Sequence, residues 1–501
     1  MATRSGMAEV ELVEHDDDVV DPVDHVGRAR VVVRARARGV LGWIGRHRVL
    51  ALATVVATVV AVGVPAAWSV RSERARLDAL AAHPGIAAPL ASAPDVAWTS
   101  PATPGSFALT VSDRAWIRDD VLILWEQTGD STNSLRAVDV GSGNELWTSP
   151  LSSVPDLGDP ADRATNDVTT CSSPEAAPGQ GVVVCLVTDS WQLTVSDDDT
   201  QADLVEAATV RLRTFDAATG ETVLDRPLGS GASFTPIDSD VVVAERPRSG
   251  DGPARVVRLD PSTGTERWAV DIPHPVGGAG WEYPTVQLLG DEIGVGWLGT
   301  TTLFTGDGGP TGVLDTDIVW QARGHRVTAG GAATTQLRDL DTGRVIELGD
   351  AREPWIDTDD RSEPDLLILQ SEDRLAARDL ATGQLAWRVD WPAERTLNLV
   401  VVDGMLARQT DDALTVLDLR TGEQLWRRSM SAYGESMVTD GRRLVVIASV
   451  VGTGPVVAAY DARDGRRVWE APVPIAVQSL AVVDHRLFAV SSEGVVAFGA
   501  S

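Results

Sequence analysis

The chain contains no lysine; all 43 of its basic residues are arginine. That removes Schiff-base and P-loop lysine chemistry. Cysteine is almost missing as well. Cys171 and Cys185 lie fourteen residues apart with no histidine close by, too few ligands for a zinc site. The seven histidines are scattered. His15, His25, His47 and His83 precede residue 95, and His274, His325 and His485 each stand alone. Neither a His-Glu-x-x-His pair nor a nucleophile elbow occurs, so the sequence nominates no catalytic residue. Positive charge is also scarce, and the formal net charge is −29. The first seventy residues hold eight Arg and eight Asp/Glu, so the remainder carries the whole imbalance. A field of that sign repels nucleic acid and anionic headgroups and suits solubility, cations or a basic partner.

What is present divides into segments. Val49–Val70, "VLALATVVATVVAVGVPAAWSV", is 22 residues without a charge, enough to cross the hydrocarbon core as one transmembrane helix. Seven arginines precede it from Arg28 to Arg48, and Trp68 sits near its far end. Arginine bias places residues 1–48 in the cytoplasm and the rest outside, in the cell envelope. A cleaved signal peptide is the rival, with "VPA" at Val64–Ala66, but the 48-residue lead and the long apolar run disfavour it. Residues 9–25 are acidic without an aromatic and are expected to stay disordered. Residues 71–94 are rich in Ala and Pro and are expected to form a stalk.

From residue 95 onward one pattern recurs: Asp, Gly four residues on, Trp eight on. It fits Asp139, Gly143, Trp147; Asp260, Gly264, Trp268; Asp379, Gly383, Trp387; Asp418, Gly422, Trp426; and Asp461, Gly465, Trp469. Two copies lose the Trp: Asp216 and Gly220 are followed by Leu224, and Asp339 and Gly343 by Glu347. Ser or Thr precedes the Gly in six copies; Asp464 does so in the seventh. Clean neighbours lie 39 to 44 residues apart. Within a unit, "TLNLVVVD", "MLARQT", "ALTVLDL" and "EQLWRRS" alternate or run β-branched between Gly/Asp turn signals. Four short antiparallel strands per repeat of this length make a propeller blade. Asp and Thr side chains bond local backbone groups, and Gly permits positive φ. The Trp falls on the outermost strand, where it can pack on the next blade. The motif is a structural device.

These residues resemble the quinoprotein-like (PQQ-type) β-propeller family, whose repeat is Ala-x-Asp-x-x-Thr-Gly-x-x-x-Trp. The resemblance runs from about Asp95 to Ser501 and implies an all-β, eight-bladed ring with Trp docking between blades. The last residues, "LFAVSSEGVVAFGAS" with Phe498, lack a fourth strand, and "DVAWTSP" with Trp98 looks like one; pairing them closes the ring. Seven motif blades and this composite make eight. Asp260 to Asp339 spans 79 residues and could hide a degenerate ninth; a seven-bladed ring is the other alternative. Asp139 to Asp216 spans 77 and suggests one blade with an insertion over about 155–208. Both cysteines fall there and are expected to form a disulfide if the domain lies outside the cytoplasm, or two free thiols otherwise. Within it, the acidic run Ser196–Asp203 lacks the Gly and terminal Glu of an EF-hand loop, and residues 165–208 are the first candidate contact surface.

Three functions follow. The first is a non-enzymatic, membrane-anchored extracytoplasmic propeller acting as a protein- or ligand-binding scaffold. It resembles the outer-membrane assembly lipoprotein group (BamB-like), from which it departs by having a membrane span and no lipobox cysteine. No cofactor is expected on this reading, and the partner is unknown. The second is a dehydrogenase using pyrroloquinoline quinone and Ca²⁺. Those enzymes carry an adjacent Cys-Cys disulfide, whereas the two cysteines here are separated. The third is an envelope sensor signalling through the single helix, in which no GxxxG occurs.

Overall fold

A computed structural model describes residues 76, 80, 83 and 85–499. Short stretches are excepted at 103–105, 111–115, 119, 129–132, 152–164, 167–168, 173–180, 190, 196–201, 206–208, 230, 247–251, 275–282, 317, 323–325, 331–334, 340–341, 392–395, 431, 451–453 and 475–476. The chain divides into two compact units, Met1–Arg76 and Leu77–Ser501. The cytoplasmic tail and the span Val49–Val70 expected from the sequence lie outside the described residues. Among the described residues no helix is long and apolar enough to cross a membrane.

The second unit is all-β, built of antiparallel four-stranded sheets laid out in chain order. The Asp418 sheet shows the pattern. Thr396–Val402, Met405–Thr410, Ala413–Asp418 and Gln424–Ser429 pair in that order. The first strands of successive sheets are neighbours, which puts them on the inside of the ring. Burial follows from that position. The second strand Met405–Thr410 is buried at every residue, because a neighbouring sheet covers each face. The outer strands Glu145–Pro150 and Thr222–Pro227 alternate exposed with half-buried, because one edge meets water. Each Leu or Val fully removed from water contributes about 1.5–3 kcal/mol, and the chain places them in a separate cluster at nearly every sheet junction.

The ring closes with a composite sheet. Val96–Pro101 pairs with Gly494–Phe498, with Trp98 opposite Ala497 and Val96 opposite Phe498. The other two strands are Arg486–Ser491 and Ser479–Val483. Leu122 and Leu124 of the Asp139 sheet pack on Phe488 and Val490 of this closing sheet, joining the end of the chain to its beginning.

The interval between Asp260 and Asp339 contains a complete four-stranded sheet, Thr285–Leu289, Glu292–Trp297, Thr300–Phe304 and Pro310–Leu314. Its turn is one residue shorter than the motif's: Gly308 N–H donates to the Thr305 carbonyl at 3.0 Å, and Thr305 N–H to Gly309 at 2.8 Å. With the seven motif sheets and the closing sheet, the described residues thus hold one more blade-like sheet than the motif copies and the composite supply.

In the Asp216 sheet the inner strands are Thr169–Ser172 and Val182–Asp189. Much of the expected insertion is therefore blade. The hairpin Trp191–Val195 and Ala202–Val205, with Thr165–Asn166, forms a separate three-stranded extension. Cys171 and Cys185 sit opposite one another on the paired strands and are disulfide-bonded. Such a bond contributes about 3 kcal/mol in the chain-entropy model.

Candidate functional site

The motif residues are spent on the fold. Asp418 Oδ1 accepts from Arg420 N–H at 3.1 Å, Thr421 N–H at 2.8 Å and the Thr421 hydroxyl at 2.9 Å. Gly422 N–H donates to the Asp418 carbonyl at 2.8 Å. The same turn recurs at Asp139, Asp216, Asp260, Asp339, Asp379 and Asp461, where Oδ1 accepts from Ser142, Thr219, Thr263, Thr342, Thr382 and Arg463 N–H respectively. The seven motif glycines, Gly143, Gly220, Gly264, Gly343, Gly383, Gly422 and Gly465, share φ near +70°. Space as well as φ demands glycine at Gly422, because a Cβ there would lie 2.7 Å from the Trp387 ring.

Five indoles reach the next sheet. Trp98 Nε1 donates to Val140 O, Trp147 to Ala217 O, Trp268 to Gly306 O, Trp387 to Leu419 O and Trp426 to Ala462 O, at 2.6 to 3.2 Å. Leu224 takes the same place against Gly264. Glu347 does not. The other outer strands carry a one-residue irregularity that sets the docking residue at the eighth position, as where Ala377 pairs Trp387 and Arg378 pairs Leu385. After Asp339 the pairing is regular at that point, so Leu337 pairs Ile346, and Ile346 rather than Glu347 packs on Gly383.

The inside of the ring departs from repetition at one sheet. The Asp379 sheet has only Leu366–Gln370, Arg374–Asp379 and Leu385–Asp390. Its first strand is missing, and the segment that should supply it is diverted. After a single bridge between Arg352 and Gln370, the chain crosses to the Asp418 sheet. There Thr358–Asp359 pairs in parallel with Val400 and Val401, on the free inner edge of Thr396–Val402. Asp357 N–H donates to Leu399 O at 2.9 Å, and Asp360 Oδ2 accepts from Asp403 N–H at 2.6 Å. Trp355, at the head of this segment, is 74% exposed, and its Nε1 donates to Asp357 Oδ1 at 3.1 Å.

A second segment meets the first. Residues 85–90, expected as part of a stalk, pack into the ring. Ile86 bridges Thr439 at the end of the inner strand Ala432–Thr439, and Ala87 N–H donates to Thr439 O at 2.8 Å. His485 Nδ1 donates to Ile86 O at 2.8 Å, and Ala88 N–H to His485 O at 2.7 Å. Buried Asp440 accepts from Leu90 N–H at 2.8 Å and from Arg443 Nη1 at 2.7 Å. Leu90 O in turn accepts the Trp469 indole N–H at 2.8 Å, in the place a motif carbonyl fills elsewhere. Ile86, Ala87 and Leu90 are buried, and Gly85 O accepts from the Thr358 hydroxyl at 3.5 Å. The first piece therefore lies along the free edge of an inner strand, and the second crosses the turn end of the Asp461 sheet from Thr439 to Trp469. Sequence reasoning missed both, because a two-residue parallel pairing and a few scattered hydrogen bonds leave no periodic pattern in the sequence.

Polar burial concentrates at two junctions. Glu126 Oε1 accepts from Arg136 Nε at 2.6 Å, and Arg136 Nη1 donates to Ser100 Oγ at 2.9 Å, with both charged side chains at most 2% exposed. Arg408, also buried, lies 4.0 Å over the Trp391 ring. Among the described residues no three His, Cys, Asp or Glu side chains gather as a metal site. His274 sits edge-on against Trp297, and His325 lies outside the described residues, as do Ser196–Thr200 and Gln201 of the acidic run. Side chains of the hairpin extension likewise fall outside them.

Three carboxylates are held below their ordinary range. The Ser142 hydroxyl and N–H lower Asp139, and the Thr305 hydroxyl lowers Asp307. At Glu266 burial opposes ionisation, but hydrogen bonds and charge from Arg226 and Arg255 outweigh it. A carboxyl depressed in the folded state contributes stability that is full above its unfolded value of about 4 and is lost as pH falls through the folded value. The contribution of these three groups should therefore hold from pH 7 to about 5 and fall away below about 4. Asp139→Asn should lower the melting temperature at pH 7 and make its acid decline shallower, as read by circular dichroism across pH.

Residues 362–501 match the family model described as outer membrane protein assembly factor BamB. No curated protein matches the chain in sequence. Among solved structures, BamB from Moraxella catarrhalis is similar at 19% identity and TM-score 0.40, over 80% of this chain and 99% of that one. A quinohemoprotein alcohol dehydrogenase from Pseudomonas putida HK5 is similar at 14% and 0.37, over 84% and 78%. A europium-containing methanol dehydrogenase is similar at 12% and 0.40, over 80% and 85%.

Proposed function

We propose, for a chain whose residues 362–501 carry the PQQ-type repeat, a non-enzymatic scaffold: a membrane-anchored, extracytoplasmic β-propeller that binds a protein or ligand in the cell envelope. The observation that carries this reading is the interior. Residues 357–360 cover the free edge of the inner strand of the Asp418 sheet, and residues 85–90 close over the turn end of the Asp461 sheet. The ring is proposed to have nine blades rather than eight, supported by the sheet between Asp260 and Asp339. The anchor is proposed as Val49–Val70 with a cytoplasmic N-terminus, supported by the uncharged run and the arginines before it.

Two features of the described residues weigh against a quinone with Ca²⁺. The two cysteines are bonded across strands of one blade rather than adjacent in sequence, and the described carboxylates form no metal-binding group. Thermal unfolding of the full-length protein with and without pyrroloquinoline quinone plus Ca²⁺ tests the point. A ligand at a hundred times its dissociation constant adds about 2.7 kcal/mol. The expected result is no shift; a saturable rise in melting temperature would reinstate the dehydrogenase.

A further inference from the structure

Six of the seven motif glycines lie beneath a side chain of the sheet before them. At Gly143, Gly220, Gly264, Gly383, Gly422 and Gly465 a Cβ would fall 2.5 to 3.0 Å from the docked side chain. Gly343 differs. It has φ +68° and the intact turn from Asp339, yet a Cβ there would meet nothing within 4 Å among the described residues. The cause lies one sheet earlier. Gly312 pairs Leu303 where the register shifts before Phe304 and Pro310, as Trp387 pairs Ala377 where it shifts before Arg378 and Leu385. Gly312 thus holds the docking position with no side chain to dock.

This junction is tied at its inner side and at the end away from the turns. The first strands Thr285–Leu289 and Ile318–Ala322 are neighbours on the inside. The hydroxyl of buried Thr301 donates to Thr316 O, in the link between the two sheets, at 2.6 Å. At the turn end of the rim the docking side chain is missing. Apolar packing divides along the same line. Leu289, Leu303 and Leu314 form a small cluster before the junction, and Leu337 and Leu348 pack forward on Leu367 and Leu369 of the next sheet. Among the described residues no buried cluster spans the two sheets. The Asp339 sheet is docked on its other side by Ile346 instead of an indole.

We propose that the Asp339 sheet, Ile318–Gly349, is a gate in the wall of the ring: it undocks at the rim and loosens as a unit while the other sheets stay folded. Parting two sheets elsewhere pulls an indole off a turn, which exposes a large apolar ring and breaks its hydrogen bond. Parting the sheets on either side of Gly312 and Gly343 exposes no such ring. Units with few buried apolar contacts open at the lowest free energy. The inner strands and the Thr316 link act as the hinge, so the gap begins at the turn end of the rim. Closure of the ring through Trp98 is untouched by this motion. The proposal does not depend on the scaffold reading.

The test is native-state amide exchange of the full-length protein. In the wild type, Arg326–Gly330 and Thr335–Asp339 should exchange at least about tenfold faster than Met405–Thr410 and Ala413–Asp418, the same strands of the indole-docked Asp418 sheet. The exchange should depend on denaturant less than global unfolding does, because less surface is exposed. Gly312→Trp supplies the missing indole over Gly343. It should slow exchange in the Asp339 sheet by at least about thirtyfold, a 2 kcal/mol change, and leave the Asp418 sheet as it was. Gly312→Ala removes the glycine's freedom without adding a ring, and should slow it by no more than about fivefold. Equal protection of the two sheets in the wild type overturns the proposal. So does a folded Gly312→Trp that slows exchange no more than Gly312→Ala, or that slows both sheets alike. If Gly312→Trp does not fold, the wild-type comparison decides alone. None of these failures touches the scaffold reading, which fails separately on a thermal shift by quinone and Ca²⁺.

Discussion

Trp98→Ala should cost about 3–5 kcal/mol, the range for removing a buried tryptophan from a packed interior. Trp98 is 8% exposed. It is the docking residue of the strand that closes the ring, and three interactions converge on it. Its Nε1 donates to Val140 O at 2.6 Å, its ring lies 6.1 Å from Phe488, and its face covers the Gly143 turn. Truncation leaves a cavity between the last sheet and the first and an acceptor without its indole. Like Trp426, Trp98 docks on the sheet that follows it in the chain, but its ring also meets Phe488 from the other end of the sequence. Its loss should therefore also loosen Val96–Pro101 from Gly494–Phe498. Denaturant unfolding measures the first effect, and amide exchange along Val495–Phe498 measures the second. A loss under about 1 kcal/mol would mean that the strand closes the ring without help from its indole.

Glu126→Leu should be as costly, about 3–5 kcal/mol, for a different reason. It leaves the Arg136 guanidinium buried without its carboxylate. Ser100 Oγ cannot replace a charge, and Arg136 Nη2 already has no hydrogen-bond partner among the described residues. The double variant Glu126→Leu/Arg136→Met should recover most of the loss, since replacing a buried ion pair by apolar groups of similar volume is often neutral or stabilising. A double variant no more stable than the single would show that the pair, and not the desolvated charge, holds this junction.

Much of the fold was legible because the repeat is local. The Asp turn, the positive-φ glycine and the docking Trp lie within nine residues, so each copy states its own geometry in sequence. Legibility fails where a copy shortens. Thr305 to Gly308 spans one residue fewer than Asp418 to Gly422, and Gly312 stands opposite Leu303, the register position that Trp387 holds opposite Ala377. The Asp and the Trp of the motif are both lost there, although the positive-φ glycine, Gly308, and the alternation of Thr285–Leu289 and Glu292–Trp297 remain. The docking residue of the Asp339 copy, Ile346, stands one place before the motif's eighth position, because an irregularity in strand pairing has no signature in the outer strand itself. The interior was illegible in kind. Gly85, Ile86 and Ala87 dock with main-chain groups and small apolar side chains, and a Pro- and Ala-rich composition suits a spacer equally well. The diverted strand could not be read either, since "TDDRSEPD" resembles any acidic loop.

The central claim is that two segments of the chain cover the inner strand of the Asp418 sheet and the turn end of the Asp461 sheet, and amide hydrogen exchange tests it most directly. The N–H groups of Ala87, Ala88 and Leu90 donate to Thr439, His485 and Asp440, and those of Asp357 and Asp360 to Leu399 and Val401. The account predicts that these five exchange slowly, on the scale of the sheet amides beside them. Exchange at the rate of exposed loop amides would mean that both segments leave these surfaces free.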